Sequence, residues 1–303
     1  MAEFRWSQLA DAQDGLFETS KRVVGRGEYR GLTFHEIEAR SILTKSPPGT
    51  PWFGYSINAY RGCSHACTYC FARPTHDYLG FNMGSDFDSE IVVKTNAVDL
   101  VRAETMPSRW PGDMIAMGTN TDPYQAAEGK YKLTRGIIEV LTERANPFSI
   151  LTKSPLVLRD LDLIADAARK TDVSVSFSVA TIDEDVWRRT EPGAPHPRRR
   201  LEALAKLRAA GVPGGVMMAP LLPGISDRPD QIAAVRKAAE EAGAVSSHPV
   251  KLHLRGMRQH FLDWLKIDSP ELLEQYERMY PERRPRPRQP KKQAADRDQL
   301  TLL

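Results

Sequence analysis

A chain of 303 residues with 41% hydrophobic and 27% charged residues can bury a sizeable core, in one large or two modest domains. The stretch Met1 to Gly15 carries Glu3, Asp11 and Asp14 and no apolar run, which argues against a signal peptide or an anchor, and no other stretch approaches the roughly 18 apolar residues of a membrane span. A net charge of +3 is too small to imply a polyanion partner by itself, and the expected compartment is cytoplasmic, where thiols stay reduced.

Residues 1–50 mix charge with short apolar runs and read as an N-terminal extension that packs on the main domain. Pro47, Pro48, Gly49 and Pro51 mark a loop. Over residues 51–280, runs rich in β-branched residues alternate with segments of helical period. Strands are predicted near 54–60, 91–95, 114–119, 148–153, 173–180, 215–222 and 250–255, and helices near 97–106, 133–145, 157–170, 198–210 and 230–242. In the segment 157–170, Leu158, Leu161, Ile164, Ala165 and Ala168 recur at three- and four-residue spacing, and Arg169-Lys170 occupy the last turn, where cations suit the helix dipole. Such alternation argues for an α/β fold with a parallel sheet: six or seven units forming a partial or nearly closed (β/α) barrel of TIM type, with functional residues at the C-terminal ends of its strands.

All three cysteines fall directly after the first predicted strand, as Cys63, Cys67 and Cys70 with spacing C-x3-C-x2-C. Soft thiolates so clustered favour an iron–sulfur cluster or zinc over hard cations. Structural sites of either kind normally take four protein ligands, so three imply an open coordination position. In a [4Fe–4S] cluster one iron would then be free for an outside group. The alternative is zinc completed by His65 or His76, although His65 lies between two of the cysteines, where closing a tetrahedron is awkward.

The same spacing, with Tyr69 just before the last cysteine, resembles the signature of the radical S-adenosylmethionine (SAM) enzymes. The flanks Ile57-Asn58-Ala59-Tyr60-Arg61-Gly62 and Phe71-Ala72-Arg73, and the lead-in Ala39-Arg40-Ser41-Ile42-Leu43, resemble the spore photoproduct lyase-like branch and its uncharacterised actinobacterial members. Ala59 departs from the proline of many relatives. The likeness covers about residues 39–280 and is strongest at 57–76 and 116–135. It implies that Cys63, Cys67 and Cys70 hold a [4Fe–4S] cluster whose unique iron is chelated by SAM. It further implies that an electron from a flavodoxin- or ferredoxin-type donor cleaves SAM to a 5′-deoxyadenosyl radical, in chemistry of lyase or oxidoreductase type. Tyr69 would pack near the adenine.

Strand ends supply the other candidates. Gly118 to Gln125 is a polar cluster that also reads as a turn; its T-D-P-Y-Q segment resembles the family's, which implies Thr119 and Asn120 near the SAM methionine moiety and Asp122, Tyr124 and Gln125 toward the substrate. Lys153, at the next strand end, would pair with a carboxylate, which the resemblance implies is that of SAM. Ser174, Ser176 and Ser178 alternate onto one face of their strand, and Ser178, nearest the C-terminal end, is the candidate beside ribose hydroxyls. Glu191 with an arginine of its neighbourhood would hold the cofactor or a phosphate. The resemblance suggests that the backbone at Met218 and Ala219 reads the adenine. His253 and Arg255 close the last predicted strand, facing the cavity or half exposed.

Residues 281–303 form a basic, proline-rich tail expected to stay extended and to touch phosphates non-specifically. It ends in Gln299-Leu300-Thr301-Leu302-Leu303, which resembles the peptide by which repair and replication proteins dock on the DNA sliding clamp, with Leu300, Leu302 and Leu303 as apolar anchors and Gln299 as hydrogen-bonding group. The family likeness suggests work on nucleic acid, such as reversal of a base lesion. Spore photoproduct lyase uses a fourth cysteine as hydrogen donor and this chain has none, so Tyr124 or Tyr131 is the candidate donor. Alternatives are a peptide, tRNA or small-metabolite substrate, or a non-catalytic metal-binding module docked on the clamp.

Overall fold

A computed structural model of the chain describes residues 20–47, 49 and 53–282. The terminal clamp-like peptide Gln299, Leu300, Leu302 and Leu303 and nearly all of the basic tail lie outside the described residues. Eleven strands build two sheets among the described residues: β1 (Lys21–Val24), β2 (Thr33–Ile37), β3 (Leu43–Lys45), β4 (Tyr55–Ile57), β5 (Tyr60–Arg61), β6 (Glu90–Lys94), β7 (Ile115–Met117), β8 (Phe148–Thr152), β9 (Val173–Ser178), β10 (Val216–Leu221) and β11 (Ser247–Lys251). The larger sheet has the order β11-β10-β9-β8-β7-β4-β3. β4 and β7 to β11 run parallel and β3 is antiparallel at the edge. Its two edges do not pair, so it is a partial barrel of six parallel strands.

Period-two alternation sorts the strands' faces. Phe148, Ile150, Val173, Val175 and Phe177 are buried in one large core with Ile137, Leu141, Ile164 and Leu204 of the helices outside. Register sets Leu151 opposite Ser176, so the facing side of the sheet is small or polar and leaves space within the barrel. Five helices, Ala97–Glu104, Leu133–Glu143, Leu161–Lys170, Pro197–Ala209 and Pro229–Glu241, lie where their periodicity foretold. The turn Pro155–Asp160 before the third is a 3₁₀ helix.

Three strand expectations need correction. The predicted strand near 54–60 divides, with β5 leaving for the second sheet. The strand near 91–95 exists as β6, but it belongs to that second sheet, of order β1-β2-β6-β5, and not to the barrel. Its β-branched run marks a strand without marking its partner, and its buried Ile91 and Val93 join Phe34 of β2 in the common core. The last strand is displaced to 247–251 and includes Pro249, which an edge strand tolerates because one ladder donor can be missing there. Beyond it, helices Arg258–Asp268 and Leu273–Met279 bury Phe261, Leu265 and Tyr276 in a second core shared with Cys67, Tyr69 and Leu252, and so back the cysteine loop. No helix among the described residues is long and apolar enough to cross a membrane.

Candidate active site

The cysteine loop leaves β5 through Gly62, whose φ of +78° is left-handed, and an added Cβ there would come within 2.9 Å of the His76 ring and of the Phe87 carbonyl. Backbone bonds then hold the loop from several sides. Cys63 N donates to Phe87 O at 2.9 Å, Thr68 N to Thr190 O at 3.0 Å and Gly193 N to His65 O at 3.1 Å. Gln125, fully buried, donates to Gly62 O at 2.9 Å and accepts from Ser64 N at 3.1 Å. Arg73 donates to Cys67 O and pairs with Asp88. With so many bonds to distant segments, the loop's shape is set by the fold around it.

The loop opens on a cavity of about 250 Å³ at the C-terminal ends of the parallel strands. Of the expected site residues, Cys63, Cys67, Cys70, Tyr69, Thr119, Asn120, Asp122, Lys153, Ser178 and Ala219 line it. So do His65, Met217, Leu252 and His253, which sequence reasoning gave no site role or left open. Phe71, on the same wall, is 49% exposed and its ring lies 5.6 Å from that of His253. Met218 points the other way into the core while its neighbours Met217 and Ala219 face the cavity, the ordinary outcome of strand alternation.

Lys153 is the cation of this cavity. Its Nζ donates to Ser178 Oγ at 2.9 Å, lies 3.8 Å from Glu191 and stands 5.6 Å over the Tyr69 ring. Burial is the largest influence and works against its charge, yet Glu191 and the other acidic groups around it together leave its pKa raised. Glu191 does not line the cavity. It is buried between Lys153, the Tyr69 hydroxyl, which donates to it, and Arg200; burial would raise its pKa, but the charges of Arg200 and Lys153 and its hydrogen bonds together lower it. Arg200 also bonds Ser178 O and Pro195 O, so this arginine of the run 198–200 is no solvated side chain.

Across the cavity Asp122 accepts from Thr152 Oγ1 and Lys153 N, both at 2.7 Å, and its carboxylate lies 3.3 Å from His65 Nδ1. Burial would raise its pKa, but the imidazole and the two donors hold it at about 2. Asn58, which sequence reasoning missed although it stands in the flank of the cysteine motif, ties this wall together: its amide donates to Thr119 Oγ1 and its carbonyl oxygen accepts from Asn120 N, both at 3.0 Å.

Other expected residues fall elsewhere. Gln125 is a clamp on the cysteine loop and does not line the cavity. Tyr124 is buried with its hydroxyl donating to Asp160 at 3.0 Å, and Tyr131 donates to Glu36 at 2.8 Å. Neither tyrosine lines the cavity and each phenol is occupied by a carboxylate, which corrects their reading as hydrogen donors. The strand-end position singled out Tyr124, but the turn at 122–125 directs it back into the protein.

The residues present fit a [4Fe–4S] cluster. Three thiols share one wall of one cavity, and a cubane takes each thiolate on a separate iron. Among the described residues no three His, Cys, Asp or Glu side chains are grouped to hold a single ion. Of the imidazoles that would close a zinc site, His65 gives Nδ1 to Asp122, and His76, whose Nε2 bonds Glu90 O at 2.9 Å between the rings of Phe81 and Phe87, does not line the cavity that the thiols share. Burial pushes all three thiols up, Cys67 to about 12, so loading metal must release protons.

Comparison with known proteins agrees with this site. The family profile described as the Radical SAM superfamily matches residues 57–235. An uncharacterised protein of Mycobacterium tuberculosis is 44% identical over 289 residues, covering 91% of this chain and 85% of its own length. One from Methanocaldococcus jannaschii is 33% identical over 195 residues, covering 63% of this chain and 71% of its own. Spore photoproduct lyase complexed with dinucleoside spore photoproduct superposes with a TM-score of 0.58 at 19% identity, covering 78% of this chain and 66% of that one, just under two thirds of that protein. A variant of that enzyme with bound AdoMet and dinucleoside spore photoproduct gives 0.58 at 17% identity, with 90% and 91% covered. Matched by the family profile over more than half of its length and by the mycobacterial relative over most of it, the chain belongs to the radical SAM superfamily of enzymes.

Proposed function

We propose that Cys63, Cys67 and Cys70 hold a [4Fe–4S] cluster, that the adjoining cavity binds SAM, and that the substrate is a base of nucleic acid. The bound cofactors supply an organic radical that removes a hydrogen atom from the substrate, with an electron from an external reductant. The chain's own residues bind, orient and exclude water. Lys153, fixed by Ser178 and Glu191, offers an ammonium to the cofactor carboxylate. Asn120 and Thr119, braced by Asn58, offer polar contacts beside it. The Ala219 carbonyl is taken by Ser178 at 2.9 Å, which leaves the remaining backbone of that strand end for a flat ring. Asp122 stays an anion fixed to His65 and does not compete for Lys153 Nζ.

The observation that carries this reading is that all three thiols and the buried Lys153–Ser178 pair open on the same cavity. The nucleic-acid substrate is supported by the likeness of the fold to an enzyme whose structures hold a dinucleoside photoproduct. Anaerobic reconstitution tests the reading. Roughly four irons per chain, with release of 5′-deoxyadenosine from SAM on reduction, are expected; a protein that retains only zinc and leaves SAM intact contradicts it. Lys153→Met is expected to weaken SAM binding about tenfold at unchanged iron content.

A further inference from the structure

Two cations on the outer face of the second sheet make no ion pair among the described residues. β5 pairs with β6 so that Arg61 lies opposite Val92. Lys94, two residues along from Val92, therefore shares its face and is a diagonal neighbour of Arg61. On that face Ile37, Val92 and Leu79 pack with Phe81, so both cations emerge beside an apolar cap and are only partly exposed. Lys94 Nζ donates to the Asn58 carbonyl at 2.8 Å. Among the described residues neither side chain makes an ion pair, and the Arg61 guanidinium, with five N–H donors, makes no hydrogen bond.

The contrast with two other buried guanidinia is direct. Arg73 is saturated by Asp88 and the carbonyls of Cys67, Met83 and Gly84, and Arg200 by Glu191 and the carbonyls of Ser178 and Pro195. A partly buried cation without a partner costs free energy that an arriving anion removes. Burial first and the Arg61 charge second lower the Lys94 pKa, Glu104 draws part of that back, and the net result is about 7. The other charged pair on this face, His35 and Glu90, is joined to itself at 2.7 Å.

A single residue separates these cations from the cavity. Asn58, whose carbonyl takes Lys94, gives its side chain to Thr119 and Asn120 of the cavity wall, and Arg61 stands two residues before Cys63. We propose that Arg61 and Lys94 form an anion site for a phosphate group of the substrate, holding a phosphodiester while the neighbouring base enters the cavity. The inference rests on the nucleic-acid reading above and sharpens it: a peptide without an anionic group would leave the site empty.

The test uses the reconstituted, unreduced full chain with SAM, so that binding is read without turnover. Two thymidine dinucleosides are compared by calorimetry, one with a phosphodiester link and one with a neutral methylphosphonate link. The unaltered protein is expected to prefer the charged link about tenfold, inorganic phosphate to compete, and Arg61→Gln and Lys94→Gln each to erase the preference while the thermal midpoint stays within a few degrees. At pH 8 the charged dinucleoside is expected to draw a proton onto Lys94, seen as a buffer-dependent heat that Lys94→Gln abolishes. Equal binding of the two dinucleosides by the unaltered protein, or an undiminished preference in both variants, overturns the site. Failure of 5′-deoxyadenosine release would instead sink the radical reading and leave this binding result standing.

Discussion

Gln125 shows how much of this site depends on single buried side chains. It joins Gly62 O, Ser64 N and Thr121 Oγ1 in one position with no exposure. Gln125→Ala leaves the Ser64 N–H unpaired and takes one of two donors from the Gly62 carbonyl, which keeps Thr121 Oγ1 at 2.6 Å, and the expected cost is about 1–2 kcal/mol, read as a lower urea midpoint together with poorer retention of iron. Asp122 gives a pH signature. Its folded pKa of about 2 lies below the ordinary 3.8, so its stabilising effect is present in full above about pH 4 and is lost as pH falls toward 2. Asp122→Asn should cost about 2 kcal/mol at pH 7 and flatten the acid limb of stability between pH 4 and 2; an unchanged acid limb would show that the carboxylate is not held as described. At this scale the sequence was informative where a strand's alternation dictates direction, as for Ser178, or where a strand end does, as for Lys153. It was silent on partners brought from afar, such as Asn58 behind Thr119 and Asn120, because no local period records a contact between segments distant in the chain.

Among the elements, the cysteine loop and the segment after helix Glu184–Thr190 meet in close backbone contact. Gly193 passes so close to the loop that a Cβ would come within 2.1 Å of Ser64 O and 3.0 Å of the His65 carbonyl carbon. Gly193→Ala must therefore push the two segments apart, with an expected fall in iron bound after reconstitution and a lower melting temperature; normal iron loading would show the junction to be slack. The barrel helices were legible because each shows an apolar stripe to one sheet. The second sheet was not: β6 carries the same β-branched signal as a barrel strand, and only the register of Glu90–Lys94 against Thr33–Ile37 reveals its true neighbour. Helices Arg258–Asp268 and Leu273–Met279 escaped notice for a related reason. They face a small core of their own, not the sheet.

For the molecule as a whole, six parallel strands set a cavity at their C-terminal ends, a second sheet flanks it, and two C-terminal helices back the loop that carries the thiols. That arrangement brings three thiols and the Lys153 ammonium to one space. On the function proposed above, these three side chains would hold a cluster with one iron that no side chain claims. Mössbauer spectroscopy of the ⁵⁷Fe-reconstituted protein, recorded with and without SAM, tests this most directly. One iron of the cluster should change its isomer shift when SAM is added while the others stay as they were; a spectrum untouched by SAM, or four equivalent irons under both conditions, would contradict it.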